Sequence, residues 1–165
     1  MGPVLVKEFL PQVSKFYGEM FSSGTPLSSA RIWSLQVEEI LFCLHLLDRI
    51  TASKLSVELK VAFMDSIFPT VSDALSAVYK NAAEGEGFRD WVCKAYNARQ
   101  LEYGAYTYPK EGSPDKGTLF WEFGRRMDYL ADDTNPVRVM EIAMHGMSLF
   151  EMMCDVFDEC VPKES

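Results

Sequence analysis

Two histidines, a scatter of carboxylates and a tyrosine-rich segment are the side chains here that invite a chemical reading. His45 stands in EEILFCLHLLDRI, after Glu38 and before Asp48 and Arg49; His145 stands in MEIAMHGMSL, four residues after Glu141. A histidine near a carboxylate can begin a general acid/base pair or a metal site. The spacing argues against both. A di-iron bundle needs Glu-x-x-His on two helices, and neither histidine has a glutamate three residues before it. HExxH is missing, and Cys43, Cys93, Cys154 and Cys160 form no CxxC pair. The sequence holds no G-x-S-x-G elbow, and Gly85-Glu86-Gly87 lacks the length and the following Lys-Ser/Thr of a phosphate loop. These patterns predict no catalytic residue, no metal and no cofactor.

Three groupings remain. At 3.6 residues per turn, Arg31, Glu38, His45 and Arg49 fall within about 40° of one another. A narrow stripe of both signs on an otherwise apolar helix reads as a hydrogen-bonded polar seam, with His45 partly buried. The second grouping is on the last helix. Arg138, Glu141, His145, Ser148, Asp155 and Glu159 line a polar face opposite Val139, Ile142, Met147, Phe150 and Met153, so His145 reads as a solvated member of that face. Five methionines crowd the same helix, either as adaptable core packing or as an accommodating interface. The third grouping is Tyr96, Arg99, Tyr103, Tyr106, Trp121 and Arg125, aromatics and cations around one loop, which could form a ligand or partner surface.

The elements that must position these groups are helices. Val6, Phe9, Leu10, Val13, Phe16, Tyr17 and Met20 recur at three- and four-residue steps around Pro11. Thr25 and Pro26 form a cap-and-first-turn signal for a second helix to about Ser53, apolar around most of its circumference. A third helix begins at Ser56 and keeps its apolar phase across Pro69, which predicts one kinked helix. A fourth spans about Gly87 to Tyr103, a fifth about Thr118 to Ala131. The sixth opens on Asn135 and Pro136 and runs to about Val161. No alternating strand pattern of useful length occurs.

The 165 residues, 48% of them hydrophobic, suffice for a sizeable core. A net charge of −8 argues against sequence-independent nucleic-acid binding. No apolar run of 18 residues exists and the N-terminus lacks a signal-peptide pattern, so no membrane association and a cytoplasmic location are expected. The expected architecture is a single all-α domain over residues 1–165. It is an irregular antiparallel bundle of five or six helices, with a flexible loop over about 104–117 and a short disordered tail over 162–165. The expected function is a non-enzymatic interaction protein, a homodimer through the second helix, able to neutralise or regulate a protein partner, a basic one on charge grounds. The alternative is a helical-bundle small-ligand sensor or enzyme using the Tyr/Arg-rich region 96–126.

Overall fold

The computed structural model describes residues 15–20, 27–78, 87–109, 113–132 and 135–160. The fold is all-α, as the periodicity predicts. Residues 15–20 are helical and are named α1. There follow α2 (Ser29–Lys54), α3 (Val57–Val78), α4 (Gly87–Gly104), α5 (Leu119–Leu130) and α6 (Pro136–Cys160). Among the described residues the only β-type pairing is an isolated bridge between Thr107 and Thr118. The chain divides into two compact units, Met1–Leu101 and Glu102–Ser165, the boundary falling inside α4. Pro11, Thr25, Pro26 and the tail 162–165 lie outside the described residues.

In the first unit, α2 is capped by Ser28, whose hydroxyl accepts from the backbone N–H of Arg31 at 3.3 Å. The helix thus starts later than the Thr25-Pro26 signal suggests, because Ser28 supplies the acceptor for its first turn. Residues 37–47 are buried without interruption. The apolar excess that suggested a second subunit, from Leu35 through Phe42, Leu44 and Leu47 to Ile50, is covered by this chain itself. The apolar circumference of α2 therefore does not by itself require a second subunit. The helix ends where Leu55 turns extended, its N–H still reaching the Thr51 carbonyl.

Helix α3 starts behind Ser56, whose hydroxyl accepts from Leu59 N–H at 3.4 Å. It runs through Pro69 as one element. Pro69 has no N–H for the Asp65 carbonyl, which removes one backbone bond. On either side of the proline, hydroxyls bond back to the turn before: Ser66 Oγ donates to the Phe63 carbonyl at 2.7 Å and Thr70 Oγ1 to the Ser66 carbonyl at 3.1 Å. Met64, Ile67, Val71 and Leu75 are its buried stripe. Helix α4 meets both: Trp91 stacks on Trp33 of α2 at 5.4 Å, and Tyr96 tilts against Phe68 of α3 at 5.0 Å.

In the second unit residues 105–109 and 113–118 are non-helical, close to the predicted loop, and the two segments are tied to each other and to α6. The Leu119 N–H donates to the Thr107 carbonyl at 2.9 Å, and Tyr108 packs on Phe150 at 4.9 Å. Gly117 turns the chain with φ of 82°, a conformation glycine adopts without strain. Asn135 caps α6, its Oδ1 accepting from Val137 N–H at 3.0 Å with Pro136 in the first turn, as the sequence predicts. Phe120, Phe123 and Met127 of α5 and Ile142, Leu149 and Phe157 of α6 are buried.

Close approach of α5 and α6 rests on two glycines. A methyl at Gly124 would run into the backbone carbonyl of Val139 and come within 3.3 Å of the Ala143 nitrogen; one at Gly146 would meet ring atoms of Phe123 and Phe120 at 3.1 and 3.3 Å. Backbone cannot move aside as a ring can. Gly124→Ala should therefore lower stability by about 2 kcal/mol despite its better helix propensity, and Gly146→Ala by less. Chemical denaturation of the two variants checks this; an unchanged or raised midpoint for Gly124→Ala would refute the contact.

Candidate functional site

The polar seam of α2 finds its partners on α4. Tyr96, Arg99 and Gln100 lie three and four residues apart, which puts them on one face of that helix. Arg99 Nε donates to Glu38 Oε1 at 2.6 Å, and His45 Nδ1 donates to Gln100 Oε1 at 2.8 Å. Two of the sequence groupings are thereby joined, Glu38 from one and Arg99 from the other. Arg31 is exposed at the start of α2, and Arg49 is half-buried one turn beyond His45. The sequence places Gln100 beside the Tyr/Arg grouping without assigning it to the seam, and does not single out Lys60. Gln100 shares the face of Tyr96, and Lys60 interrupts the apolar series Val57, Val61, Met64 on α3; both signals are positional.

His45 is 2% exposed, so an incoming substrate cannot reach its ring. Burial lowers its pKa from 6.5, with the Arg49 and Lys60 charges acting the same way; the Gln100 bond and the Asp48 charge oppose them. The ring is therefore neutral at pH 7. Tyr96 is pushed up to about 12, first by burial and then by the Asp48 carboxylate, and keeps its proton. Burial also raises the Cys43 thiol, reinforced by Glu39. Each shift favours the neutral form, which is how a water-poor helix junction holds titratable groups.

Beside this seam, α2, α3 and α4 enclose a groove of about 780 Å³. Its floor and walls are largely apolar: Ala52 from α2 and Leu55 just after it, then Val61, Met64, Phe68 and Pro69 from α3. At its polar side Lys60 Nζ pairs with Asp48 Oδ2 at 2.9 Å, and Cys93, Tyr96 and Asn97 of α4 complete the wall. Val57, on the same wall, is 73% exposed, so the groove is open to solvent. It can hold an apolar body and offer hydrogen bonds at one side.

The remaining Tyr/Arg residues belong to the second unit. Tyr103 is buried, Tyr106 and Trp121 are half-buried, and Arg125 is exposed, paired with Glu122 at 3.0 Å. Lys116 lies 5.8 Å from the Trp121 ring. Of the six proposed surface residues, Tyr96 lines the groove and Arg99 serves the buried pair. On α6, Met153 is buried and His145 half-buried, while Val137, Met140, Met144, Met152 and Val156 are exposed beside the acidic residues. The last helix is thus less cleanly amphipathic than its sequence reading.

Among the described residues no three His, Cys, Asp or Glu side chains gather closely enough to hold a metal ion. No described helix is long and apolar enough to cross a membrane. Comparison with known proteins gives no matching family model, no curated protein similar in sequence and no solved structure of matching fold.

Two outcomes follow from the seam. Arg99→Met should cost about 3 kcal/mol, because it strands a buried carboxylate, and adding Glu38→Met should restore most of the loss. A double-mutant cycle by denaturation reads both; additive losses would mean that the pair is not a unit. His45→Gln should cost about 1 kcal/mol through altered bonding to Gln100. It should also flatten the acid side of the stability curve. Below pH 6.5 the unfolded chain takes up the histidine proton before the folded one, so parental stability falls as pH drops until the folded-state pKa is passed. An unchanged slope in the variant would place the pH dependence elsewhere.

Proposed function

We propose that this chain is a non-enzymatic interaction protein that engages a second polypeptide through the outer face of α6. One observation carries this reading: a run of apolar side chains along α6 is left in solvent, with Met144 47% and Met152 45% exposed. An isolated exposed apolar residue is ordinary, but a row following one ridge of a helix forms a contiguous surface. Methionine suits such a surface, being flexible and polarizable enough to fit a partner's contours. The burial of His45 and the protonated state of Tyr96 leave the polar seam with a structural part in this reading, joining α2 to α4.

A second reading draws on the groove of the first unit, whose volume of about 780 Å³ is in the range of small-molecule sites. There an apolar ligand would lie along Val61, Met64 and Phe68, with its polar end at Tyr96, Asn97 and the Lys60–Asp48 pair. Only Tyr96 of the Tyr/Arg grouping contributes to it, which ranks it second.

The readings separate by cross-linking in native extract. A photo-activatable side chain at Met144 should yield an adduct with a second polypeptide, absent when it is placed at the exposed Tyr129 of α5. The adduct should persist when Val61→Trp fills the groove and vanish with Met152→Gln. No adduct at Met144, together with loss of cellular function in Val61→Trp alone, would favour the groove.

A further inference from the structure

Met140, Met144, Ser148, Met152 and Val156 follow one another at four-residue steps, the ridge that helices use when they pack on each other. Sixteen residues separate its ends, about 24 Å of helix at 1.5 Å per residue. Ser148 lies at its midpoint, and all five residues are exposed.

The charges beside the ridge are negative with one exception. Glu141, Glu151, Asp155, Asp158 and Glu159 are exposed on α6, against the single cation Arg138, toward the other end. Three of these carboxylates, Asp155, Asp158 and Glu159, fall in the last turns, and the final turn holds no basic residue. This is the negative end of the helix dipole, where anions are unfavourable and a cation is stabilising. Acidic side chains at that end favour a positive neighbour.

We infer that the α6 ridge docks a basic amphipathic helix of a partner protein, its apolar face on the methionines and its Lys or Arg residues against the flanking carboxylates. This rests on the reading of α6 as the interaction face and names the chemistry of its occupant. A second copy is disfavoured. Two ridges meeting about Ser148 in antiparallel fashion would set Glu141 of one chain opposite Asp155 of the other, and the flanking carboxylates would find only one cation, Arg138, opposite Asp158. An anionic membrane or a nucleic acid would meet the same repulsion. A helix partner matches both the geometry of the ridge and the sign of its border.

The test titrates the full chain into three labelled peptides of about 18 residues, enough to span the ridge. One is a Lys/Leu amphipathic helix, one a Glu/Leu helix with the same apolar face, and one has the first composition with its leucines scattered. Fluorescence anisotropy should report binding of the Lys/Leu helix, weakened by added salt, with the other two peptides much weaker. Met144→Gln with Met152→Gln should reduce that affinity by about tenfold or more. Glu151→Gln with Asp155→Asn, which conserves shape, should reduce it and flatten its salt dependence. Circular dichroism confirms that each variant keeps its helices. Equal binding of the Glu/Leu or the scattered peptide would overturn the inference. So would indifference to the methionine substitutions, or a chain dimer that Met144→Gln disperses. If the Met144 cross-link survives while the Lys/Leu peptide does not bind, the occupant is wrong and the interaction face stands. If both fail, the interaction face falls as well.

Discussion

Helix α2 has no polar side through its middle, and the first unit is organised around that constraint. With residues 37–47 buried in succession, any polar group among them must be satisfied inside the protein. Glu38 and His45 each find a partner on α4, whose Arg99 and Gln100 supply a cation and an amide at adjacent positions. Water cannot substitute at such a site, so each bond fixes the rotation of α4 against α2 as well as contributing energy. Apolar packing alone would tolerate several rotations; a buried carboxylate paired at 2.6 Å tolerates few. The stacked Trp33 and Trp91 fix the same pair of helices at a second point.

The helical class and most helix ends were legible because they depend on local chemistry. Ser56, Asn135 and Pro136 announce their helices through caps and a preset φ, and the structure uses each in that role. The phase of α3 across Pro69 was legible for the same reason: the apolar stripe continues, and burial outweighs one lost backbone bond. The start of α2 lies a few residues beyond the Thr25-Pro26 signal, because the Ser28 hydroxyl caps the helix.

Pairings between helices were not legible. Glu38 and Arg99 are 61 positions apart, and nothing in either segment names the other. The stripe on α2 could be recognised as a seam, but its partner could not. The Tyr/Arg grouping failed differently. Nearness in sequence around a loop does not bring its members together: Tyr96 and Arg99 are committed to α3 and α2, while Trp121 and Arg125 sit on α5. Aromatic residues close in sequence share a surface only when the helix phases agree.

Apolar content also means opposite things in α2 and α6, and the difference is physical. In α2 the apolar residues occupy the whole circumference, and the chain encloses them. In α6 a full buried face already exists, built of Val139, Ile142, Leu149, Met153 and Phe157, so the remaining methionines exceed what packing against α5 requires. Leaving Met144 and Met152 in water forgoes the stabilisation that burial would give each side chain, about 2 kcal/mol when complete. A solvated helix has no folding reason to carry them, since Lys, Gln or Glu have comparable helix propensity and would improve solubility. The carboxylates at the C-terminal end of the same helix are likewise unfavourable for the isolated chain. Both features oppose stability, and both lie on one face. A surface that is costly in two independent ways, apolar and electrostatic, is one on which the proposed partner helix would relieve both costs.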